Sequence, residues 1–326
     1  EADLSAAGVQ YIVLNSENSL VTEAQNVATL IESGIKVLIL CPVSSADATD
    51  AVEAAHEAGI TVIAYDRLIT QTSAVDYYVT FSSEEVGQMQ GQYLVDHATG
   101  TGNPLYLYAG SETDNNSFLF FKGAWSLLQP KIEDGTFVIA NSDTADGLKT
   151  NALLTYDQIE TIIGTNTSSS GVMTIDGITT NWSYDDAKML CELNLQSVNT
   201  SLKGDVFVLA PNDNNARGII SALEADAGIT SFKITGQDAE KESVQSIIDG
   251  QQSMTVFKDV RTLARDATTA AIEILKGHSP STSGSFNNGV KEVLSVVSDI
   301  ASITVDNIQE TLIDTGYYSS SDFTGL

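Results

Sequence analysis

Short apolar segments alternate with helical segments along almost the entire chain, repeating about every 25–30 residues. One stretch of this pattern runs from Ile35–Cys41 through a helical segment, Ser45–Ala58, to a second apolar run, Ile60–Tyr65. Ile35–Cys41 is dominated by β-branched residues and leucine, which is typical of a strand covered on both faces. Strands joined through helices run parallel, and the helices cover the faces of their sheet. We therefore predict an α/β fold with doubly wound sheets.

The length of the chain favours two lobes of this kind. With 326 residues it exceeds one typical domain and suits two lobes of roughly 150 residues each. The second half repeats the order of strand and helix, for example at Asp205–Ala210 and Asn214–Ala225. Residues 141–180 fit this order least well, and their polar stretch Thr165–Gly171 predicts a surface excursion. Near the start of the chain, Val9–Leu14 predicts a further short strand.

The composition excludes several classes of protein. Hydrophobic residues make up 42% of the chain and charged residues only 18%, which predicts a folded core. The net charge of −28 repels nucleic acids and anionic membranes, so we expect neither as a partner. This acidity is either spread over solvated faces or gathered in a docking patch. No run of about 20 apolar residues predicts a membrane span.

The sequence also lacks the patterns of metal, cofactor and hydrolase sites. Cys41 and Cys191 lie in different halves of the chain, which argues against a disulfide between them. Neither has a histidine nearby in sequence, so we predict no metal site, and we expect both cysteines to be buried. His56, His97 and His278 lie on helical segments or at a helix end, away from the strand ends. The glycine-rich and histidine-containing motifs of nucleotide-binding proteins and hydrolases are absent. We expect no cofactor, no metal and no catalytic residue.

Three apolar runs end directly in pairs of polar residues. These pairs are Asp66 with Arg67, Asn212 with Asp213, and Gln237 with Asp238. In open α/β sheets, ligands bind beyond the carboxyl ends of the strands. Carboxylates, amides and guanidinium groups all form hydrogen bonds with hydroxyl groups, so the pairs predict a site for one small polar ligand. The alternative for each pair is a purely structural turn or a salt bridge that closes one.

Four further residues belong to the predicted site. Asn115 and Asn116 open a helical segment, Trp182 precedes another, and Lys258 ends a strand-like run. An aromatic ring can pack against the apolar face of a sugar. Helix capping, ordinary packing and a solvated cation are the respective alternatives. Carboxylates beside an amide or an arginine are held in their ionised form, which favours binding over catalysis.

At these residues the chain resembles the periplasmic-type sugar-binding proteins of ABC importers, in particular the branch of xylose-binding and ChvE-like multiple-monosaccharide-binding proteins. The resemblance follows the chain in order over nearly its whole length. The matching stretches are Ala64–Ile69, Asp114–Asn116, Trp182, Asn212–Asp213, Gly236–Glu240, Val256–Asp259, Asn288–Lys291 and Thr315–Tyr318.

The resemblance implies two Rossmann-like lobes joined by a three-segment hinge, with a monosaccharide held between them. The lobes would comprise residues 1–112 with 258–282, and 113–257 with 283–326. The side chains that would bond the sugar hydroxyls or ring oxygen are Arg67, Asn116, Asp213, Asp238 and Lys258, assisted by Asp66, with Trp182 stacked on the ring. Asn115, Asn212 and Gln237 would complete the site as their neighbours.

The implied function is that of a solute-binding protein and not an enzyme. Its ligand would be an aldopentose or aldohexose such as xylose, glucose or galactose, and its partner an ABC permease. A monomer in the periplasm or at the outer face of the membrane is implied, with a signal peptide expected and lipid anchoring left open. A sugar-sensing domain that contacts a chemoreceptor or a histidine kinase is the alternative, and a sugar-modifying enzyme is a third.

The sequence departs from the family pattern in two places. Relatives begin with a strand and loop that supply part of the site, and the first strand is expected to be missing here. The segment of residues 141–180 is also longer than the pattern leads us to expect, which bears on the alignment of Trp182.

Overall fold

The computed structural model describes residues 2–141 and 178–326. In this part of the chain the helices are α1 (Ala2–Ala6), α2 (Leu20–Glu32), α3 (Thr49–Glu57), α4 (Ser83–His97), α5 (Asn115–Glu133), α6 (Tyr184–Ser197), α7 (Asp213–Ala225), α8 (Lys241–Ile248) and α9 (Val260–Leu275). The strands are β1 (Val37–Leu40), β2 (Thr61–Tyr65), β3 (Tyr77–Phe81), β4 (Asn103–Leu107), β5 (Phe137–Ile139), β6 (Gly204–Leu209), β7 (Ile229–Ile234), β8 (Thr255–Lys258), β9 (Gly284–Asn287), β10 (Glu292–Ser298) and β11 (Ile300–Ile303). The predicted excursion at Thr165–Gly171 lies outside the described residues.

Side-chain caps start four of the described helices. The capping residues are Ser19 of α2, Ser183 of α6, Asn212 of α7 and Asp259 of α9. Each side-chain oxygen accepts a hydrogen bond from a backbone N–H of the first helical turn, which has no partner within the helix. None of the described helices is both long enough and apolar enough to cross a bilayer.

The chain forms two compact units. Unit 1 comprises Glu1–Ser82, Thr113–Asn116 and Asp259–Asp299. Its sheet has the strand order β1-β2-β3-β10-β9, in which the first four strands run parallel and β9 pairs antiparallel with β10. Helix α9 packs on this sheet, and a core that the sheet forms with residues of α2 and α3 contains Val62, Ala64 and Tyr78.

Unit 2 comprises Ser83–Glu112, Ser117–Lys258 and Ile300–Leu326. Its parallel sheet has the order β5-β4-β6-β7, and β8 pairs antiparallel with β11. Along β4 and just beyond it, successive side chains enter different cores: Leu105 and Leu107 belong to one cluster, and Tyr106 and Tyr108 to the other. This alternation shows that both faces of the sheet are covered, as predicted for a doubly wound fold.

These units divide the chain at different residues from the predicted lobes. Residues 83–112 belong to unit 2, because α4 packs against β6, β7 and β8 and because β4 joins the second sheet. Residues 283–299 belong to unit 1, because β10 pairs with β3. The chain passes between the units after Ser82, Lys258 and Asp299, and Thr113–Asn116 forms a short insertion of unit 1.

Three predictions near the start of the chain are wrong. Val9–Leu14 forms no strand, and Val13 is 69% exposed, because this segment pairs with no described strand. Ile35–Cys41 is not covered on both faces, since β1 is the terminal strand of its sheet and Ile39 is exposed. Cys41, just beyond β1, is exposed for the same reason, whereas Cys191 is buried as expected, and both thiols are free.

Candidate functional site

In unit 1, the predicted residues gather where β2 ends. Arg67 Nε lies 2.9 Å from Asp114 Oδ2, and Arg67 Nη1 donates to the carbonyl of Val43 at 3.1 Å. The side chain of Asp114 is 5% exposed and that of Arg67 is 25% exposed, so part of the guanidinium group stays open to solvent. The ion pair therefore fixes the direction of the arginine without enclosing it.

The backbone at Asp66 is held in an unusual conformation. Its φ of 63° lies in the left-handed region, which non-glycine residues rarely adopt. Three side chains donate to its carbonyl oxygen: Tyr78 Oη at 2.8 Å, Asn116 Nδ2 at 3.0 Å and Thr80 Oγ1 at 3.3 Å. Local strain of this type persists only where surrounding contacts impose it, and it is common at ligand-binding sites.

The start of α5 is tied to the same unit. The Ser45 N–H donates to the carbonyl of Thr113 at 2.9 Å, and Ser45 Oγ accepts from the Asn115 N–H at 3.1 Å. The Asn116 N–H in turn donates to Asp114 Oδ1 at 2.9 Å. The structure thus brings Asp66, Arg67 and Asn116 together in unit 1.

In unit 2, the charged pair and the aromatic rings lie side by side. Lys258 Nζ lies 2.8 Å from Asp238 Oδ1 and 5.6 Å from the centroid of the Phe120 ring. The rings of Phe120 and Trp182 meet edge to face, with their centroids 6.2 Å apart. A cation over an aromatic face is electrostatically favourable, and the rings offer an apolar surface beside the ion pair.

Two buried polar atoms of this region have no hydrogen-bond partner among the described residues. They are Trp182 Nε1 and Gln237 Oε1, one a donor and the other an acceptor. Leaving a buried polar group unsatisfied costs about 1–3 kcal/mol, so such groups are uncommon and call for an explanation. A ligand that offers hydroxyl groups can satisfy both kinds of atom.

Asn212 and Asp213 have their side chains engaged within unit 2. Asn212 Oδ1 accepts from the Asn215 N–H at 2.9 Å and so caps α7. Asp213 is fully buried, and its oxygens accept from Gln252 Nε2 and from the Glu240 N–H, each at 2.8 Å. Burial raises the pKa of Asp213, the charge of Asp238 raises it further, and these donors oppose the shift.

Two residues of these clusters are not part of the site predicted from the sequence. Asp114 lies in the stretch Asp114–Asn116, but the predicted site contains only the two asparagines of that stretch. Phe120 lies in the apolar run Phe118–Phe121, which has the pattern of a helix core and carries no signal of a site. In the described part of the chain, no group of three or more potential metal ligands is present.

Comparison with known proteins finds relatives that are named as periplasmic sugar-binding proteins. The family model described as the periplasmic binding protein domain matches residues 1–175 and 168–279. The multiple sugar-binding periplasmic protein SbpA of Azospirillum brasilense is 32% identical over 98% of this chain and 84% of its own length. The D-xylose-binding periplasmic protein of Escherichia coli K12 is 29% identical over 97% of this chain and 83% of its own.

A solved structure is more similar still. A carbohydrate transporter solute-binding protein from Chloroflexus aurantiacus, in complex with D-glucose, shares 54% identity with this chain. The match covers 100% of this chain and 92% of the other, with a TM-score of 0.93.

Proposed function

The chain belongs to the family of periplasmic binding proteins, and we propose that it captures a monosaccharide and delivers it to the permease of an ABC transporter. We place this activity in the periplasm or at the outer face of the membrane, as the names of its relatives suggest. The ligand we propose is an aldopentose or aldohexose, since one relative is named for D-xylose and the similar solved structure contains D-glucose.

The observation that carries the proposal is the combination of groups in unit 2. An ion pair, Asp238 with Lys258, lies beside the aromatic pair Phe120 and Trp182. A sugar has hydroxyl groups that need charged or amide partners and C–H faces that pack on aromatic rings. In unit 1, Arg67 and Asn116 are further groups that can bond hydroxyls, and we propose each of them as a sugar contact.

We assign Asn115, Asn212 and Gln237 to the same site as supporting residues. Asn115 and Gln237 are buried. Asn212 caps α7 and directly precedes Asp213, which bonds the backbone of Gln237 and Glu240 on either side of Asp238. Asp66 supports the site through its backbone, because its carbonyl accepts from Asn116. Asp213 is enclosed by its own partners and does not contact the sugar in this proposal.

The family consists of substrate-binding proteins, and we propose that the bound sugar leaves unchanged. Ligand capture would act through a shift between states: the sugar stabilises the state in which more of its groups are bonded, and the permease recognises that state. We further propose that the protein acts as a monomer. The relatives do not favour the alternative of a sugar-sensing domain.

Titration calorimetry with D-xylose, D-glucose, D-galactose, L-arabinose and D-ribose tests the proposal. We expect saturable heat with at least one of these sugars, with one site per chain. A folded protein that gives no heat with any of them would contradict the proposed function. Incubation of the bound sugar followed by NMR would show whether it is released unaltered.

A further inference from the structure

We infer that Asp213 and Gln252 form a positioning pair, which fixes the loop Gly236–Glu240 and thereby sets the geometry of the Asp238–Lys258 ion pair. The inference has two parts. The effect on sugar affinity rests on the proposed function, because it assumes that Asp238 and Lys258 contact the sugar. The fixing of the loop rests only on the contacts described below.

The carboxylate of Asp213 links three segments of unit 2. One oxygen, Oδ2, accepts from the Glu240 N–H at 2.8 Å, at the end of the loop. The other, Oδ1, accepts from Gln252 Nε2 at 2.8 Å, and the same nitrogen donates to the carbonyl of Met254 at 3.0 Å. The backbone N–H of Asp213 donates to the carbonyl of Gln237 at 3.0 Å. The start of α7 is thus joined to both ends of the loop and to the segment before β8.

Capping of α7 does not explain the buried carboxylate. The side chain of Asn212 already caps that helix, through the Asn215 N–H at 2.9 Å. Asp213 has no exposed surface, and burial raises its pKa. A buried carboxylate is costly unless it is paired or hydrogen-bonded. The hydrogen bonds of Asp213 come from the Glu240 N–H and from the side chains of Gln252 and Thr255, all in the loop or in the segment that follows it.

The loop that this pair holds has a strained backbone. Asp238 has a φ of 97° and Ala239 a φ of 51°, both in the region that non-glycine residues avoid. The Asp238 N–H donates to the carbonyl of Val256 at 2.8 Å, and the Ala239 N–H donates to Thr255 Oγ1 at 3.2 Å. Without contacts at both ends, a segment in such a conformation relaxes toward ordinary dihedral angles.

Gly236 shows how closely the pair approaches the loop. A Cβ atom at this position would overlap Asp213 Oδ1 and Gln252 Nε2. A glycine is therefore required at this point for the hydrogen-bonded pair to lie against the backbone. Asp238 follows two residues later, and its carboxylate bonds Lys258 at 2.8 Å. A displaced loop would carry the Asp238 carboxylate away from the end of β8 and weaken this geometry.

Hydrogen exchange measured by mass spectrometry, without sugar, tests the fixing of the loop. The variant is Gln252→Met, which keeps the side-chain volume but removes the donor. The matched control is Gln251→Met, because Gln251 is the exposed neighbour and its side chain donates only to Glu224 among the described residues. We expect at least roughly tenfold faster exchange at Asp238–Glu240 in Gln252→Met, with the control unchanged. Unchanged exchange in a folded Gln252→Met protein would overturn the inference, whether or not the protein binds sugar.

Calorimetry with D-glucose and D-xylose then tests the effect on binding. We expect Gln252→Met to weaken sugar affinity roughly tenfold in the wild-type background. In a protein that already carries Asp238→Asn, the same substitution should weaken affinity less than about threefold, because the effects of coupled residues are not additive. An equal loss in both backgrounds would overturn the positioning role. If the wild-type protein binds no sugar, the proposed function fails, and hydrogen exchange still decides the fixing of the loop. Should Gln252→Met not fold, Gly236→Ala separates the pair from the loop without removing a polar group and serves in both measurements.

Discussion

At the scale of single residues, Lys258 is the sharpest test of the proposed site. Its ammonium group bonds Asp238 and lies over the Phe120 ring, so its removal abolishes both the ion pair and the cation–π contact. We expect Lys258→Met to weaken sugar affinity by about 2 kcal/mol, or roughly thirtyfold, the range for a hydrogen bond to a charged group. Lys241→Met is the control, because Lys241 forms an ion pair with Asp322 on the surface of the same unit. Calorimetry that gives the same dissociation constant for both variants would rule out a ligand contact by Lys258.

Glu23 allows a test of a buried acid in unit 1. Its side chain is buried, Oε2 accepts from the Val43 N–H at 2.7 Å, and burial raises its pKa above the usual value. For an acid whose pKa is higher in the folded state, the favourable contribution is present below the unfolded pKa and is lost as pH rises through the folded pKa.

We therefore expect the wild type to lose stability relative to Glu23→Gln as pH rises from about 4 to 7. Urea denaturation at several pH values measures this difference. Glu32→Gln, at an exposed position of the same helix, is the control. A constant difference across the pH range for Glu23→Gln would mean that the carboxyl group titrates alike in both states.

The sequence located the strand ends correctly but could not give the direction of every side chain. Asp238 meets Lys258 because Gln237, just before it, bridges Val256 of β8. Asp66 meets Asn116 because the start of α5 is tied to Ser45. Asp213 stands at a strand end as well, yet its carboxylate turns inward to Gln252, a residue with no signal in the sequence. Tertiary packing determines whether such a side chain points into the core or towards the site, and a local sequence pattern does not predict tertiary packing.

At the scale of elements, helices were easier to predict than strands. Helix α7 (Asp213–Ala225) matches the predicted helical segment Asn214–Ala225 to within one residue, because its apolar spacing and the cap at Asn212 are local features. Val9–Leu14 has the composition of a strand but pairs with none of the strands that the structure describes. In contrast, β9 (Gly284–Asn287) has a poor composition for a strand but pairs with β10. Strands depend on neighbours that are distant in sequence, so a single run cannot establish them.

The contact between α4 and α5 in unit 2 is also invisible in the sequence. An added Cβ at Gly123 would overlap the backbone carbonyl of Glu84, and one at Gly87 would overlap that of Phe120. The two helices therefore approach closely through glycines, in a region that also carries Phe120 of the proposed site. Backbone atoms cannot move aside as a flexible side chain can, so any larger residue must separate the helices.

We expect Gly123→Ala to destabilise the protein by about 2–3 kcal/mol, although alanine is the better helix former. Gln92→Ala, at an exposed position of α4, is the control and should change stability by less than about 0.5 kcal/mol. Chemical denaturation measures both values. A stabilised Gly123→Ala protein would show that helix propensity outweighs the close approach.

At the scale of the whole molecule, the net charge opposes the compact state. The chain carries 43 acidic and 15 basic residues, so most carboxylates have no cation to pair with. Ion pairs such as Lys203 with Asp226, at 2.7 Å, offset only part of this repulsion, and an isolated surface pair contributes about 0–1 kcal/mol. Folding brings the excess negative charge closer together than it is in the unfolded chain.

Salt acts on these two effects in opposite directions. It screens the ion pairs, which lowers stability, and it screens the repulsion among the excess carboxylates, which raises stability. Because acidic residues outnumber basic ones by 28, the second effect should dominate at neutral pH. We expect the melting temperature at pH 7 to rise by about 1–2 °C between 10 and 200 mM sodium chloride, which corresponds to about 1 kcal/mol for a chain of this size. The same measurement near pH 4.5, where many carboxylates are protonated, should give a smaller rise. A melting temperature that falls with salt at pH 7 would show that specific ion pairs, and not the overall charge, govern the stability of this protein.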